Sequence, residues 1–244
     1  MLTYWKQKKR KIALSYTPDA PAPAVAEITI GLMLSLLRSI NIANIEMHEG
    51  KWNRYYGRRI PEITLGIIGV GRIGGRVLRR LSSFGSPKVL VNDIDPAENV
   101  TDKLKLEWVD KETIYKHADL ISLHLPLTNR TKNMITYDQL KMMKSDAMII
   151  NTSRGGIINE KDLAKVLREP HLSGAAIDVF DNEPYAGELK NIKNCLLTSH
   201  MGSMSLDCRS KMEIEAVEEV VRFFTGKPLK RPVPEEEYEL KRIF

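Results

Sequence analysis

Arg154, Glu183 and His200 are the residues of this chain whose types and placement best suit chemistry. Each follows a predicted strand, and the three strands span residues 147–151, 174–179 and 195–198. Because the carboxyl ends of parallel strands meet at one edge of a sheet, we expect the three side chains to converge there. An arginine, a carboxylate and a histidine suit hydride and proton transfer on an α-keto or α-hydroxy acid. A histidine after a strand is more often a polar loop residue, so the hypothesis depends on the combination.

A glycine turn between a predicted strand and a predicted helix indicates a dinucleotide site. Residues 69–74 read Gly-Val-Gly-Arg-Ile-Gly, after an apolar run and before residues with helical spacing. In this motif Gly69 permits the tight turn, Gly71 lets backbone N–H groups approach a pyrophosphate, and Gly74 allows close packing. The N-terminus of the helix then presents the positive end of its dipole to the phosphates.

An acidic residue ends the next predicted strand, which spans residues 88–93. Asp93 stands 22 residues beyond Gly71, where its carboxylate can accept hydrogen bonds from both hydroxyls of an adenine ribose. The same carboxylate would repel a 2′-phosphate, so NAD is favoured over NADP. A lone glycine motif also fits any glycine-rich turn, but strand, turn, helix and acid in register favour the dinucleotide site.

Strands and helices alternate along the chain. A further strand is predicted over 119–124, and helices over 111–116, 137–143, 160–168 and 205–224. After the breaker run 18–23, residues 24–49 read as one long helix that is apolar almost all round from 28 to 40. We predict an α/β fold with a doubly wound, mainly parallel sheet of the Rossmann type.

Composition narrows the class of protein. The formal net charge of +6 resides largely near both ends of the chain, without interleaved aromatic residues, so we expect solvated basic ends and no nucleic-acid partner. Two cysteines, Cys195 and Cys208, predict a reducing compartment without a disulfide framework. With no apolar leader or membrane span in the sequence, we expect a cytoplasmic protein with no membrane partner. No cluster of residues has metal-ligand spacing.

Several segments in series resemble the D-isomer-specific 2-hydroxyacid dehydrogenase family, most of all its D-3-phosphoglycerate dehydrogenase-like members. The matching segments are 17–18 with 24–27, 65–74, 122–128, 150–156, 175–180 with 183–184, and 198–202. Their order and spacing agree from about Thr17 to Phe224. Several independent motifs in the same order are far more specific than any one of them.

The resemblance implies a role for each of the three converging residues. His200 would be the general acid–base that takes the hydroxyl proton in oxidation and returns it in reduction. Glu183 would orient the imidazole and favour its protonated form by charge pairing. Arg154 would bind the substrate carboxylate and polarise the keto oxygen with its planar guanidinium.

The resemblance also implies a set of NAD contacts. Asp178 would hold the nicotinamide carboxamide, and Thr17 would touch the cofactor from the hinge. His124 is expected only to fill space nearby. The remaining cofactor residues are Gly69, Gly71, Arg72, Ile73, Gly74, Asp93, Leu125, Pro126, Thr152, Ser153, Arg154, His200, Gly202 and Ser203.

The family also implies a domain division that this chain follows only in part. Family members begin with a separate substrate domain of roughly a hundred residues, a common domain size. We therefore expect residues 1–23 to be a remnant of that flavodoxin-like domain, including its last strand over 11–16. Residues 24–199 would form the NAD-binding domain, and 200–244 a C-terminal helix and tail that belong to the substrate domain and expose apolar surface without it.

The implied function is an NAD-dependent oxidoreductase that acts on a small D-2-hydroxy acid. The leading substrate is 3-phosphoglycerate, followed by glyoxylate or hydroxypyruvate, and a chain lacking most of the substrate domain would be weakly active or inactive. The alternative is a non-catalytic NAD-binding regulatory or interaction module. We also expect a homodimer through the helix 24–49, whose apolar middle needs a second surface to cover it.

Overall fold

A seven-stranded, all-parallel sheet forms the centre of the protein. The computed structural model describes residues 10, 12–96 and 100–234. The strands are β1 (Thr64–Ile68), β2 (Lys88–Asn92), β3 (Leu106–Trp108), β4 (Leu120–Leu123), β5 (Met148–Asn151), β6 (Gly174–Ile177) and β7 (Cys195–Leu197). Their spatial order is β3-β2-β1-β4-β5-β6-β7, which confirms the predicted doubly wound fold. The order reverses beside β1, the place where such sheets bind ligands.

Helices cover both faces of the sheet. They are α1 (Ala22–Leu37), α2 (Ile40–His48), α3 (Gly74–Leu81), α4 (Lys111–His117), α5 (Tyr137–Met142), α6 (Glu160–Arg168) and α7 (Leu206–Phe224). Short 3₁₀ turns occur at Ile60–Glu62, Ser82–Phe84 and Glu188–Asn191. The helices α1 and α3 pack on one face, and α4, α5 and α6 pack on the other. The central strands are therefore buried on both sides, as their apolar sequences require.

Successive strand residues supply two separate cores. In β1, Ile67 joins a cluster with Met33 of α1 and Leu78 of α3, whereas Ile68 joins a cluster with Ile114 of α4 on the opposite face. This division follows from the alternation of side chains along a strand. Both isoleucines are fully buried, so β1 fixes the positions of helices on both sides.

The prediction of one long helix over residues 24–49 is wrong, because the structure has two helices that meet at a bend of 66°. Ser39 between them adopts a left-handed backbone conformation with φ +52°. The carbonyl of Leu37 does not continue the helical ladder and accepts a hydrogen bond from the Arg58 N–H at 3.0 Å. A contact distant in sequence thus ends α1. The expected burial holds for α1 but not for α2, which has no buried residue.

Two strand predictions also differ from the structure. The edge strand β3 was missed because it has only three residues, too few for their Leu-Glu-Trp alternation to stand out, and they are at most half-buried. The strand predicted over 11–16 does not form in residues 12–16, and residue 11 lies outside the described residues. Ser15 makes one isolated antiparallel bridge with Pro232, since no neighbouring strand extends the pairing there.

The C-terminal helix α7 presents the exposed apolar surface that the sequence predicts. Leu206 is 91% exposed and Phe224 is 81% exposed, and valines along the helix are also exposed. Glu219 on its covered side is buried and accepts hydrogen bonds from the Lys230 and Arg231 N–H groups at 3.0 and 3.3 Å. This carboxylate therefore links the segment after α7 to the helix.

No single helix among the described residues is long and apolar enough to cross a membrane. Within the same residues, α1 and α2 reach the length and composition of a span when they are taken together as a bent pair.

Replacement of Gly66 tests how closely α4 packs on β1. A Cβ at this position would lie 2.5 Å from Ile114 Cγ2 and 3.0 Å from Ala118 Cβ. Gly66→Ala should lower the free energy of unfolding by about 1–3 kcal/mol through overpacking, as measured by urea denaturation. The matched control is Gly31→Ala in α1, where a Cβ meets nothing within 4 Å and the helix should gain up to about 1 kcal/mol. Equal effects of the two substitutions would contradict this packing.

Candidate active site

The glycine turn between β1 and α3 has the geometry of a phosphate-binding loop. Gly69 has φ +95°, and a Cβ there would clash with the backbone of His124. A Cβ at Gly74 would clash with the carbonyl of Gly69, so the turn itself demands these two glycines. At Gly71 a Cβ would meet no protein atom within 4 Å. The open space at Gly71 beside the start of α3 fits a diphosphate.

The Asp93 carboxylate lies directly beside this turn. Its Oδ2 accepts a hydrogen bond from the Val70 N–H at 2.5 Å, and its Oδ1 accepts one from the Asp95 N–H at 3.1 Å. Each carboxylate oxygen can accept a further bond, so the ribose hydroxyls of a dinucleotide still have acceptors. The structure therefore fixes a negative charge where the sequence predicts ribose binding.

His200 and Glu183 form a direct pair at the carboxyl edge of the sheet. The imidazole Nδ1 lies 2.8 Å from Glu183 Oε2, and Glu183 Oε1 accepts the Phe180 N–H at 3.0 Å. With Nδ1 occupied by the carboxylate, Nε2 is the ring nitrogen available to a substrate. The carboxylate thus fixes the orientation of the imidazole.

The pKa of Glu183 lies below its ordinary value. Partial burial by itself would raise this pKa. The hydrogen bonds from His200 and the Phe180 N–H, together with the charges of His200 and Arg154, outweigh that effect. Glu183 therefore stays ionised beside the imidazole at neutral pH.

Arg154 is exposed on the loop that follows β5, near enough for its charge to act on Glu183. The Asn151 side chain, which the sequence analysis did not single out, shapes this loop. Its Nδ2 donates to the Arg154 carbonyl at 2.9 Å, and its Oδ1 accepts from the N–H and hydroxyl of Ser153 at 3.0 and 2.7 Å. An asparagine that ends a strand is a typical turn former, which is the signal that was available.

Asp178 organises the loop that carries His200. The buried carboxylate accepts hydrogen bonds from the Thr198 hydroxyl at 2.6 Å and from the N–H groups of Met201 and Gly202, both at 2.9 Å. The His200 N–H donates to the Asp178 carbonyl at 2.8 Å, and His200 itself adopts φ +50°. Asp178 therefore holds a strained histidine in place. Its predicted contact with a carboxamide stays a prediction.

Other predicted cofactor residues lie around the same edge. The side chains of Thr152 and Ser153 are buried, and the Thr152 hydroxyl lies 2.9 Å from that of Thr29 in α1. These hydroxyls are engaged within the protein, so a cofactor would meet mainly their backbone. Leu125 adjoins Gly69, and Pro126 is exposed beside it.

The hinge segment reaches the glycine turn through one ion pair. Arg72 Nε donates to Asp19 Oδ1 at 3.1 Å. Ile73 directly precedes α3, and Ser203 is half-buried after Gly202. Thr17 is half-buried in the same segment as Asp19, and its cofactor contact stays a prediction.

His124 is a neutral imidazole packed under the glycine turn. Burial lowers its pKa to about 4. Its Nε2 lies 2.9 Å from the Ser122 hydroxyl, whereas its buried Nδ1 has no partner among the described residues. The ring lies beside Gly74, with Cδ2 3.5 Å from the place that a Gly74 Cβ would take, and its space-filling role stays a prediction.

Asp178→Asn should loosen the His200 loop, because an amide NH₂ would face a group that is itself a donor. We expect the variant to lose about 1–3 kcal/mol of unfolding free energy. Amide hydrogen exchange at residues 200–202 should accelerate in parallel. Asp181→Asn, on the exposed part of the preceding loop, serves as the control and should change neither quantity. Unchanged exchange in Asp178→Asn would remove Asp178 from this role.

Comparison with known proteins agrees with this geometry. Residues 30–202 match the family model of the D-isomer specific 2-hydroxyacid dehydrogenase NAD binding domain. The chain is 37% identical over 223 residues to a hydroxypyruvate reductase of Thermotoga maritima, covering 89% of this chain and 72% of that protein. It is 35% identical over 222 residues to a D-3-phosphoglycerate dehydrogenase of Methanocaldococcus jannaschii, covering 89% of this chain and 42% of that protein. Several other relatives are named glyoxylate reductase.

A solved structure gives the same answer for the fold and the cofactor. The D-lactate dehydrogenase of Lactobacillus jensenii, crystallised with NAD⁺, superposes with a TM-score of 0.83 at 26% identity. The alignment covers 96% of this chain and 75% of that one. The glycine turn, Asp93 and the matched family model together identify NAD as the cofactor. This chain therefore belongs to the D-isomer-specific 2-hydroxyacid dehydrogenase family and carries its NAD-binding domain.

Proposed function

We propose that this protein interconverts a small 2-keto acid and the corresponding D-2-hydroxy acid with NAD as cofactor. The observation that carries the proposal is the 2.8 Å contact between His200 Nδ1 and Glu183 Oε2. This pair shares the carboxyl edge of the sheet with Arg154 and with the glycine turn. An acid–base pair, a carboxylate-binding cation and a dinucleotide loop at one edge support that reaction.

Each of the three residues has a distinct part in the proposed reaction. NAD, when bound, supplies the hydride acceptor or donor. The guanidinium of Arg154 binds the substrate carboxylate and polarises the reacting oxygen. His200 Nε2 takes the hydroxyl proton in oxidation and returns it in reduction. Glu183 stabilises the imidazolium that exists between these steps.

The substrate proposal narrows to two-carbon and three-carbon keto acids. Relatives of this chain are named hydroxypyruvate reductase and glyoxylate reductase, alongside D-3-phosphoglycerate dehydrogenases. We therefore rank hydroxypyruvate and glyoxylate ahead of 3-phosphoglycerate, which the sequence analysis ranked first. Comparison of kcat/KM for NADH-dependent reduction of hydroxypyruvate, glyoxylate and the keto acid that corresponds to 3-phosphoglycerate decides the ranking. The cytoplasmic location stays a prediction.

Removal of the imidazole should abolish turnover without affecting the cofactor. We expect His200→Ala to reduce kcat for NADH-dependent reduction of hydroxypyruvate by about 10²–10⁴-fold, the usual contribution of a general acid–base. The Kd for NADH, measured by fluorescence titration, should stay within about twofold, because the glycine turn and Asp93 are untouched.

His171→Ala is the matched control, since His171 Nε2 lies 3.0 Å from the Leu140 carbonyl, in a separate part of the fold. It should keep wild-type kcat. Retained turnover in His200→Ala would overturn the assignment. NADH binding by the wild-type chain with no turnover of any 2-keto acid would instead support the non-catalytic NAD-binding module.

We also propose a homodimer formed through α2 and the segment that follows it. The α2 surface consists of the exposed apolar side chains Ile40, Ile45, Met47, Trp52, Tyr55 and Tyr56. Ile45 is 55% exposed and Trp52 is 74% exposed, although α2 is joined directly to the buried α1. Exposed apolar side chains on a helix without buried residues, and on the segment after it, support association with another copy.

Light scattering at micromolar concentration tests this association. The wild-type chain should have the mass of a dimer, and Ile45→Glu should have that of a monomer, because an ionised carboxylate is costly to bury in an interface. Ile94→Glu places the same charge at an exposed isoleucine outside the α2 surface and should stay dimeric. A monomeric wild-type chain would disprove the dimer.

A further inference from the structure

We propose that Glu160, at the start of α6, is a positioning residue that holds the loop carrying Glu183 in register with Arg154. The proposal rests on the proposed function, since it concerns the same site. Glu160 lies in the first turn of α6, where an acidic side chain is usual because it faces the positive end of the helix dipole. The contacts of its carboxylate show a second use.

Glu160 is hydrogen-bonded to the backbone of the Glu183 loop, residues 179–187. The Asp181 N–H donates to Glu160 Oε1 at 2.8 Å, and the preceding N–H, that of Phe180, donates to Glu183 Oε1 at 3.0 Å. Two successive amides thus bind the carboxylates of Glu160 and Glu183. Within the described part of the chain, Glu160 is the only side chain from outside the loop that accepts a hydrogen bond from its backbone.

Phe180 and Asp181 of this loop also pack closely against the segment that follows Arg154. A Cβ at Gly155 would clash with the carbonyl of Phe180, and one at Gly156 would lie 2.9 Å from Asp181 Oδ1. The backbones of the two catalytic loops are therefore in direct contact where Glu160 binds. A shift of Phe180 and Asp181 would move Glu183 relative to both Arg154 and His200.

The helix itself does not depend on this carboxylate for its cap. Asn159 is the N-cap of α6, and its Oδ1 accepts the N–H groups of Lys161 and Asp162, both at 3.1 Å. Glu160 projects instead to a neighbouring loop. Because Asn159 already caps α6, the Glu160 carboxylate is free to bind the neighbouring loop from a regular helix.

The chemistry of the contact calls for an acceptor rather than for a charge. Burial raises the pKa of Glu160, and the nearby Asp181 carboxylate raises it further, while the Asp181 N–H opposes both effects. A neutral carbonyl oxygen in the same place would accept the same hydrogen bond. Glutamine at position 160 should therefore keep the hydrogen bond to the Asp181 N–H. Aspartate, which keeps the charge but is one methylene shorter, should lose it.

The test compares Glu160→Gln, Glu160→Ala and Glu160→Asp in the full chain. We expect kcat for hydroxypyruvate reduction to fall about 10–100-fold in the Ala and Asp variants, the scale of effect for misplaced catalytic groups, and to be near wild type in the Gln variant. The Kd for NADH should stay unchanged in all three. Glu188→Ala, which removes an exposed carboxylate paired with Arg168 just after the loop, is the control and should resemble wild type.

The pH profile separates positioning from simple destabilisation. Glu183 keeps its low pKa partly through the Phe180 N–H and His200, so loss of their alignment should raise that pKa. A carboxylate with a depressed pKa loses its ionised form as pH falls through that value. In the pH profile of kcat/KM, the acid limb should therefore lie at higher pH in Glu160→Ala than in the wild type. In Glu160→Gln it should lie at the wild-type pH. An unmoved acid limb in Glu160→Ala, or equal defects in the Ala and Gln variants, would overturn the proposal.

Amide hydrogen exchange gives an answer that does not require turnover. Exchange at residues 179–183 should accelerate in Glu160→Ala and Glu160→Asp but not in Glu160→Gln or Glu188→Ala. Equal exchange in all variants would overturn the positioning role. Absence of turnover in the wild-type chain would count against the proposed function alone, since the exchange pattern would still decide the role of Glu160.

Discussion

The contact between His200 and Glu183 depends on one buried carboxylate. Asp178 takes hydrogen bonds from Thr198, Met201 and Gly202, so the loop after β7 closes around it. This network places His200 in a left-handed conformation, which is uncommon for residues other than glycine. The cost of burying Asp178 is offset by three partners, two of them backbone N–H groups. The result is an imidazole held by backbone contacts on one side and by Glu183 on the other.

The loops at this edge of the sheet depend on a second constraint, which is the close approach of one backbone segment to another. Gly69 lies against the backbone of His124, Gly74 lies against Gly69, and Gly155 lies against Phe180. At each position a side chain would separate elements that must meet. The glycine turn is thus set by steric exclusion, the His200 loop by hydrogen bonds, and the Arg154 loop by both, since Asn151 also bonds to its backbone. Steric exclusion and hydrogen bonding together place reactive groups at the edge of a sheet whose central strands are buried on both sides.

Much of the site was predictable because it is encoded in local patterns. The turn 69–74 lies between a buried strand and a helix, and Asp93 ends the next strand, as the alternation of elements predicts. The topology of a parallel sheet then brings the loops after β5, β6 and β7 to one edge. What local patterns do not contain is the partner of each polar group. Asn151 and Glu160 look like an ordinary turn former and an ordinary helix charge until the loops that they hold are folded against them.

The sequence by itself determined the fold class and the cofactor motif, and it placed Arg154, Glu183 and His200 after three predicted strands, because periodicity and motif spacing are properties of neighbouring residues. Only the tertiary structure decided where the apolar run 24–49 bends, since the Leu37 carbonyl is captured by Arg58, 21 residues further along the chain. It also decided that Asp178 holds a loop and that β3 forms at the sheet edge. In each case the deciding hydrogen bond joins segments that are distant in sequence, and local propensity carries no information about such a bond.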